Sequence, residues 1–96
     1  MDNIKFLAQL ELIIIDRLKN DPEGSYTASL AKKGIDKVLQ KVGEEAVEYI
    51  IDAKNKNKER TLSEAADLLY HFLVSLQVQG LSLEDVVSVL EKRHLK

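Results

Sequence analysis

Cysteine and tryptophan are missing from this 96-residue chain, and its aromatic content is limited to three Tyr and two Phe. Without cysteine there can be no disulfide and no thiolate metal site, which fits a reducing compartment and leaves oxygen or imidazole as the metal donors. Scarce aromatics beside abundant Leu, Ile, Val and Ala imply a core of helix packed on helix. Charge of one sign is also lacking. A formal net charge of −2 argues against a general nucleic-acid surface, while leaving room for a local basic pocket that takes an anionic ligand. Long apolar runs are missing as well: Leu12 to Ile15 is broken by Asp16 and Arg17. The start MDNIKFLAQL has no basic segment followed by a sustained apolar one, so neither export nor a membrane span is expected, and a cytoplasmic location is. Glycine-rich phosphate cradles of the GxxxxGK[ST] or GxGxxG kind do not occur, and no Ser-His-Asp arrangement is evident.

What remains is an apolar fraction of 45%, enough for one domain spanning residues 1–96 that buries roughly two-thirds of its unfolded surface. Ile4, Leu7, Leu10, Ile14 and Leu18 recur at helical spacing, predicting a first helix from about Asp2 to Lys19 that NDPEG then breaks. SYTASLAKKG reads as a short helix capped by Ser25 or Thr27, with Gly34 just past its end. Asp36 is placed to cap a third helix running to about Lys54. NKNKER reads as a loop, after which Thr61 starts a fourth helix reaching about Gln79, with Gly80 ending it. SLED at 82–85 has the form of a capping box and opens a fifth helix toward the C-terminus. Strand alternation and internal repeats are absent. The expected fold is an all-α bundle of about five helices around a central antiparallel hairpin, completed by oligomerisation.

The third and fourth helices carry the chemistry. Lys37, Lys41, Glu44, Glu45, Glu48 and Asp52 share one arc of helix three, flanked on both sides by apolar residues. Glu64, Asp67, His71 and Ser75 share an arc of helix four. If the hairpin folds near Lys58, Asp52 lies level with Glu64, Glu48 with Asp67, Glu45 with His71 and Lys41 with Ser75. Like charges on an exposed helix cost only about 0.2–0.5 kcal/mol per pair, but partial burial raises this to several kcal/mol per unpaired ion. A divalent cation relieves it. Carboxylates on helices about 8–10 Å apart favour magnesium or manganese over zinc, and magnesium takes substrate phosphates as further ligands.

Each residue also has a plainer reading. Glu44, Glu45 and Glu48 can be surface charge supported by Lys41, and Glu64 can be the return partner of a TLSE capping box with Thr61. Tyr26 can be a core aromatic; Lys32, Lys33 and Lys54 can be solvated helix-end charges. His71 can be a satisfied core histidine. The two facing stripes taken together favour ligands over surface charge, because Asp67 and His71 sit within ADLLYHFLVSL, where a solvated face is least plausible.

The E-E-x-x-E run of Glu44, Glu45 and Glu48, followed by E-x-x-D at Glu64 and Asp67, resembles the signature of the all-α MazG-type nucleotide pyrophosphohydrolases. SYTASL, QKVGEEAVE, EAADLLYHFLV and QGLSLEDV, in this order over nearly the whole chain, resemble the phosphoribosyl-ATP pyrophosphohydrolases of histidine biosynthesis. The resemblance implies Mg²⁺-dependent hydrolysis of phosphoribosyl-ATP to phosphoribosyl-AMP and pyrophosphate, with Mn²⁺ as a substitute, by a protein that is at least a homodimer. It implies Glu45, Glu48, Glu64 and Asp67 as metal ligands, Glu44 as a position that binds metal or orients water, and Lys41 on the substrate phosphates; on mechanistic grounds Glu44 or Glu45 is expected to take the proton of the attacking water. Ser25, Tyr26 and Thr27 fall near the substrate, and His71 matches the family's Tyr-His pair without an assigned role. Many relatives are fused to the cyclohydrolase of the next step, for which this chain has no room. Two other functions fit the acidic motif: a housecleaning pyrophosphatase for noncanonical nucleoside triphosphates, and a non-enzymatic helical dimerisation module. Neither a nucleic-acid nor a membrane partner is expected.

Overall fold

A computed structural model describes residues 3–95. Among them a short 3-10 turn, Asn3–Lys5, leads into five α-helices: α1 (Phe6–Asn20), α2 (Tyr26–Lys32), α3 (Ile35–Lys54), α4 (Lys58–Val78) and α5 (Leu83–His94). The described residues contain no strand, as the sequence predicts. The expected helix start at Asp2 lies outside the described residues.

Capping decides where the helices begin, and in two places it departs from expectation. Ser25, the first of the two expected candidates, caps α2: its Oγ accepts from the Ala28 N–H at 3.1 Å. Thr27 is thereby turned inward to hydrogen-bond the Tyr70 hydroxyl on α4. At the start of α3 the cap is Gly34, not Asp36. Its φ of 99° is one that a residue with a side chain resists, and Asp36 instead lies in the first turn, where its charge complements the helix dipole.

The larger departure is at α4, which begins at Lys58 rather than at Thr61. Asn57 caps it, with Oδ1 accepting from the Arg60 N–H at 3.1 Å. Lys, Glu and Arg are good helix formers, so once Asn57 supplies a cap this polar stretch becomes an exposed first turn and not a loop. Thr61 donates its hydroxyl to the Asn57 carbonyl at 2.7 Å. Glu64 therefore sits inside the helix, released from the TLSE capping box. The expected box at α5 does form: the Ser82 Oγ accepts from the Asp85 N–H, and the Asp85 carboxylate accepts from the Ser82 N–H.

α3 and α4 make the most extensive interhelical packing and form the central antiparallel hairpin, closed by residues 55–57. Ile14 from α1, Leu30 from α2, Val38 from α3 and Leu73, Val74 and Leu76 from α4 form the buried core. Glu11 ties α1 to the far end of that hairpin, its Oε2 accepting from the Gln77 side chain at 3.0 Å and from the Leu83 N–H at 2.7 Å. The second of these bonds satisfies one of the free amides at the start of α5. No single helix among the described residues is long and apolar enough to cross a membrane.

The core is thin. α5 buries no residue, and Val47, Ile50, Ile51 and Leu62 on the hairpin are each more than half exposed. The radius of gyration is 14.6 Å, against about 12.5 Å for a compact chain of this length.

Candidate metal and active site

Glu45 and Glu48 are one turn apart on α3 and so share a face, and the hairpin brings Glu64 of α4 up against them. One carboxylate oxygen from each of the three lies within 4.8 Å of the others. Glu45 is buried and Glu48 exposed, while Glu64 is partly buried. Two oxygens, Glu45 Oε2 and Glu64 Oε2, are sealed from solvent and have no hydrogen-bond partner. Buried acceptors without donors are rare in native proteins because desolvation is then uncompensated.

The electrostatics follow from that crowding. Removal from water, and then the adjoining Glu45 and Glu48 carboxylates, raise the Glu64 pKa from 4.5 to about 7. Lys41 offsets part of the charge, its Nζ lying 3.4 Å from Glu45 Oε1 and 3.5 Å from Glu44 Oε1. Burial works against the Lys41 charge, but Tyr26, Glu45 and Glu44 outweigh it and hold its pKa above the ordinary value. Glu44 is exposed, and the hydrogen bond from Gln40 Nε2 at 3.0 Å, with help from Lys41, holds its pKa below the usual carboxylate value.

The remaining expected residues divide. Asp67 is exposed and lies outside the three-carboxylate group, a turn beyond Glu64 on the same helix. Its carbonyl accepts from His71 Nδ1 at 2.7 Å. Asp52 does not meet Glu64: it is buried and accepts from Arg60 Nε at 3.2 Å, because the early start of α4 brings Arg60 beside it. Ser75, expected level with Lys41, donates to the Phe72 carbonyl of its own helix at 2.7 Å. Ser25 and Thr27 spend their hydroxyls on the α2 cap and on Tyr70, and between them Tyr26 presents its phenol to His71 Nε2 at 2.8 Å. An open groove of about 650 Å³ lined by Gln40, Gly43, Glu44, Val47 and Glu48 adjoins the cluster, with Glu48 common to both.

Sequence reasoning missed Arg60, Tyr70, Gln40 and Gly43. Arg60 was hidden in a stretch read as loop, whereas Tyr70 stood beside His71 in the Tyr-His pair. Gln40 one turn before Glu44 is a spacing from which its hydrogen bond could have been drawn.

The donor set is all carboxylate oxygen with two orphaned atoms, and it fits a hard divalent cation such as magnesium. Fold and site together define a class: an all-α helical hairpin with a convergent acidic cluster beside an ammonium group. Within that class, the chain belongs to the phosphoribosyl-ATP pyrophosphohydrolase family, whose model matches residues 7–94. It is 53% identical over 93 residues to the histidine biosynthesis bifunctional protein HisIE of Bacillus subtilis, a match that covers 97% of this chain and 44% of the relative. It is also 53% identical over 87 residues to the phosphoribosyl-ATP pyrophosphatase of Metallosphaera sedula, covering 91% of this chain and 94% of that protein. The phosphoribosyl-ATP pyrophosphatase of Clostridium acetobutylicum is 48% identical over 96 residues, 100% of this chain and 87% of the relative. The chain thus spans less than half of the bifunctional relative and most of the two pyrophosphatases.

Proposed function

We propose that the protein hydrolyses phosphoribosyl-ATP to phosphoribosyl-AMP and pyrophosphate in histidine biosynthesis. The observation that carries the chemistry is the pair of partnerless buried oxygens on Glu45 and Glu64; family membership supports the substrate. Glu45, Glu48 and Glu64 would hold Mg²⁺, or Mn²⁺ as a substitute, with Asp67 joining them from one turn further along α4. When bound, the ion supplies Lewis-acid polarisation of the phosphoryl oxygens.

The chain's own groups do the rest. Lys41 holds a substrate phosphate with an ammonium that its surroundings keep charged. Glu44, held ionised by Gln40 and Lys41, takes the proton of the attacking water; Glu45, a turn-neighbour of Lys41, is the other group placed for that role. Ser25 and Thr27 fix the α2 segment by which Tyr26 faces the substrate. The working unit is a homodimer or larger homo-oligomer. Val47, Ile50, Ile51 and Leu62 support this, since covering the exposed half or more of each is worth roughly 1–2 kcal/mol.

Pyrophosphate release from phosphoribosyl-ATP, measured with and without Mg²⁺ and beside a panel of noncanonical nucleoside triphosphates, tests the reading. Magnesium-dependent release with phosphoribosyl-ATP strongly preferred is expected. Folded, metal-loaded protein that releases none overturns it, and preference for the panel transfers the site to a housecleaning role.

A further inference from the structure

His71 is buried at 7% exposure, belongs to neither the carboxylate group nor the core cluster, and has both ring nitrogens engaged. Nδ1 is 2.7 Å from the Asp67 carbonyl and Nε2 is 2.8 Å from the Tyr26 hydroxyl. A carbonyl can only accept, so Nδ1 carries the hydrogen, and in the neutral imidazole Nε2 is then an acceptor. With the imidazole neutral, Tyr26 donates its one hydroxyl hydrogen to His71. Two edge-on ring contacts, His71 with Tyr26 and His71 with Tyr70, fix the imidazole plane, and Tyr70 is itself bonded to Thr27 beside Tyr26. The orientation of the phenol is thus set from both sides.

A phenolic oxygen has one hydrogen and two lone pairs. With the hydrogen committed to a buried histidine, what Tyr26 offers outward from its half-exposed position is lone pairs alone. Such a group repels phosphate, whose oxygens are also acceptors, and attracts hydrogen-bond donors. Tyr26 lies close enough to Lys41 to act on its charge, which puts the phenol near the ammonium proposed to hold phosphate.

We propose that Tyr26 is a specificity residue held as an obligate acceptor by His71, and that it receives a sugar hydroxyl or base N–H of the bound nucleotide and not one of its phosphates. His71 is the positioning residue that keeps it so. This deepens the hydrolase reading and rests on it for the nucleotide, so the test reads binding apart from turnover.

Affinities of wild type and Tyr26→Phe are measured calorimetrically for the unreactive product phosphoribosyl-AMP, for AMP, and for AMP analogues lacking the 2′-hydroxyl, the 3′-hydroxyl or the 6-amino group. Tyr26→Phe removes only the oxygen from a half-exposed side chain, so the fold is retained. Expected is an about tenfold weakening of phosphoribosyl-AMP and AMP on Tyr26→Phe, as for loss of one well-placed hydrogen bond. One analogue should lose about the same on the wild type and nothing further on Tyr26→Phe, and which one it is separates sugar from base. His71→Phe, which frees the phenol to donate, should erase that analogue's penalty, and His71→Gln, whose amide oxygen can accept from the phenol, should restore part of it. Equal affinities for Tyr26→Phe and wild type, a penalty on Tyr26→Phe that persists for every analogue, or wild type binding none of the nucleotides would each overturn the proposal. Pyrophosphate release assayed in parallel keeps the two readings apart. Turnover with Tyr26 silent sinks only the acceptor, whereas a Tyr26 effect without turnover sinks only the hydrolase.

Discussion

Acids at two places on the same hairpin have opposite fates. Near the closed end, Asp52 is buried yet partnered, its carboxylate accepting one charge-assisted hydrogen bond from Arg60 at 3.2 Å. In the middle, Glu45 and Glu64 each keep an oxygen that is sealed from water and reached by no nitrogen or hydroxyl donor, with Glu48 added to the same crowd. Both regions arise from the same amphipathic pattern of an acidic stripe between apolar flanks. Burial of an acid therefore does not mark a functional site; burial without a partner does, because nothing inside the chain compensates it.

Breaking each end of the hairpin in turn tests the contrast. The largest effect is expected from Glu48→Gln or Glu64→Gln, each lowering kcat by about 10²–10³ or more while leaving the helical circular dichroism intact. Magnesium-dependent turnover equal to that of the wild type in either variant would remove it from the site.

Next comes pH. Glu64 keeps its proton in the folded state up to about 7, against 4.5 as its ordinary value. Between these values the folded chain binds more protons at Glu64 than the unfolded chain, so stability due to this group is full below pH 4.5 and falls as pH rises through about 7. Metal-free melting temperatures should therefore decline across that window, less steeply in Glu64→Gln. A decline of identical slope in the variant would locate its origin elsewhere.

At the closed end, Arg60→Ala should destabilise by about 1–2 kcal/mol, because it strands the Asp52 carboxylate, and should leave kcat unchanged. Urea unfolding and initial rates on the same protein check both halves. The smallest effect is expected at Gly43, a helix-interior glycine on the groove wall where an added Cβ would meet nothing within 4 Å. Gly43→Ala should gain about 0.5–1 kcal/mol through helix propensity alone. A loss instead would contradict the open wall at that position.

Much of this was legible beforehand, and what was not has identifiable causes. Caps and breakers placed four of the five helices, and periodicity placed the first. It also placed Glu45, Glu48 and Glu64 on facing stripes, because i, i+3 spacing and a hairpin need no further information. Helix starts were less legible where two residues compete to cap: Gly34 displaced Asp36, and Asn57 displaced Thr61. The second shift had consequences beyond its size. It delivered Arg60 to Asp52, took Asp52 away from Glu64, and freed Glu64 from the capping role that would have made it structural. The Tyr26–His71 bond, joining residues far apart in the chain, left no mark in local pattern beyond the Tyr-His pair. The apolar flank carried by Val47, Ile50, Ile51 and Leu62 shows the complementary limit, because a hydrophobic pattern states that a face is to be covered without stating by what.

The central claim is that the orphaned carboxylates are a cation site. The most direct measurement is calorimetric titration of Mg²⁺ into wild type and Glu64→Gln at pH 7, in two buffers of different ionisation enthalpy. With a pKa of about 7, Glu64 is about half protonated there. Binding to the wild type should thus release protons, and Glu64→Gln should bind at least about tenfold more weakly and release fewer. Equal affinity and equal proton release in the two proteins, or no magnesium binding by either, would contradict the account.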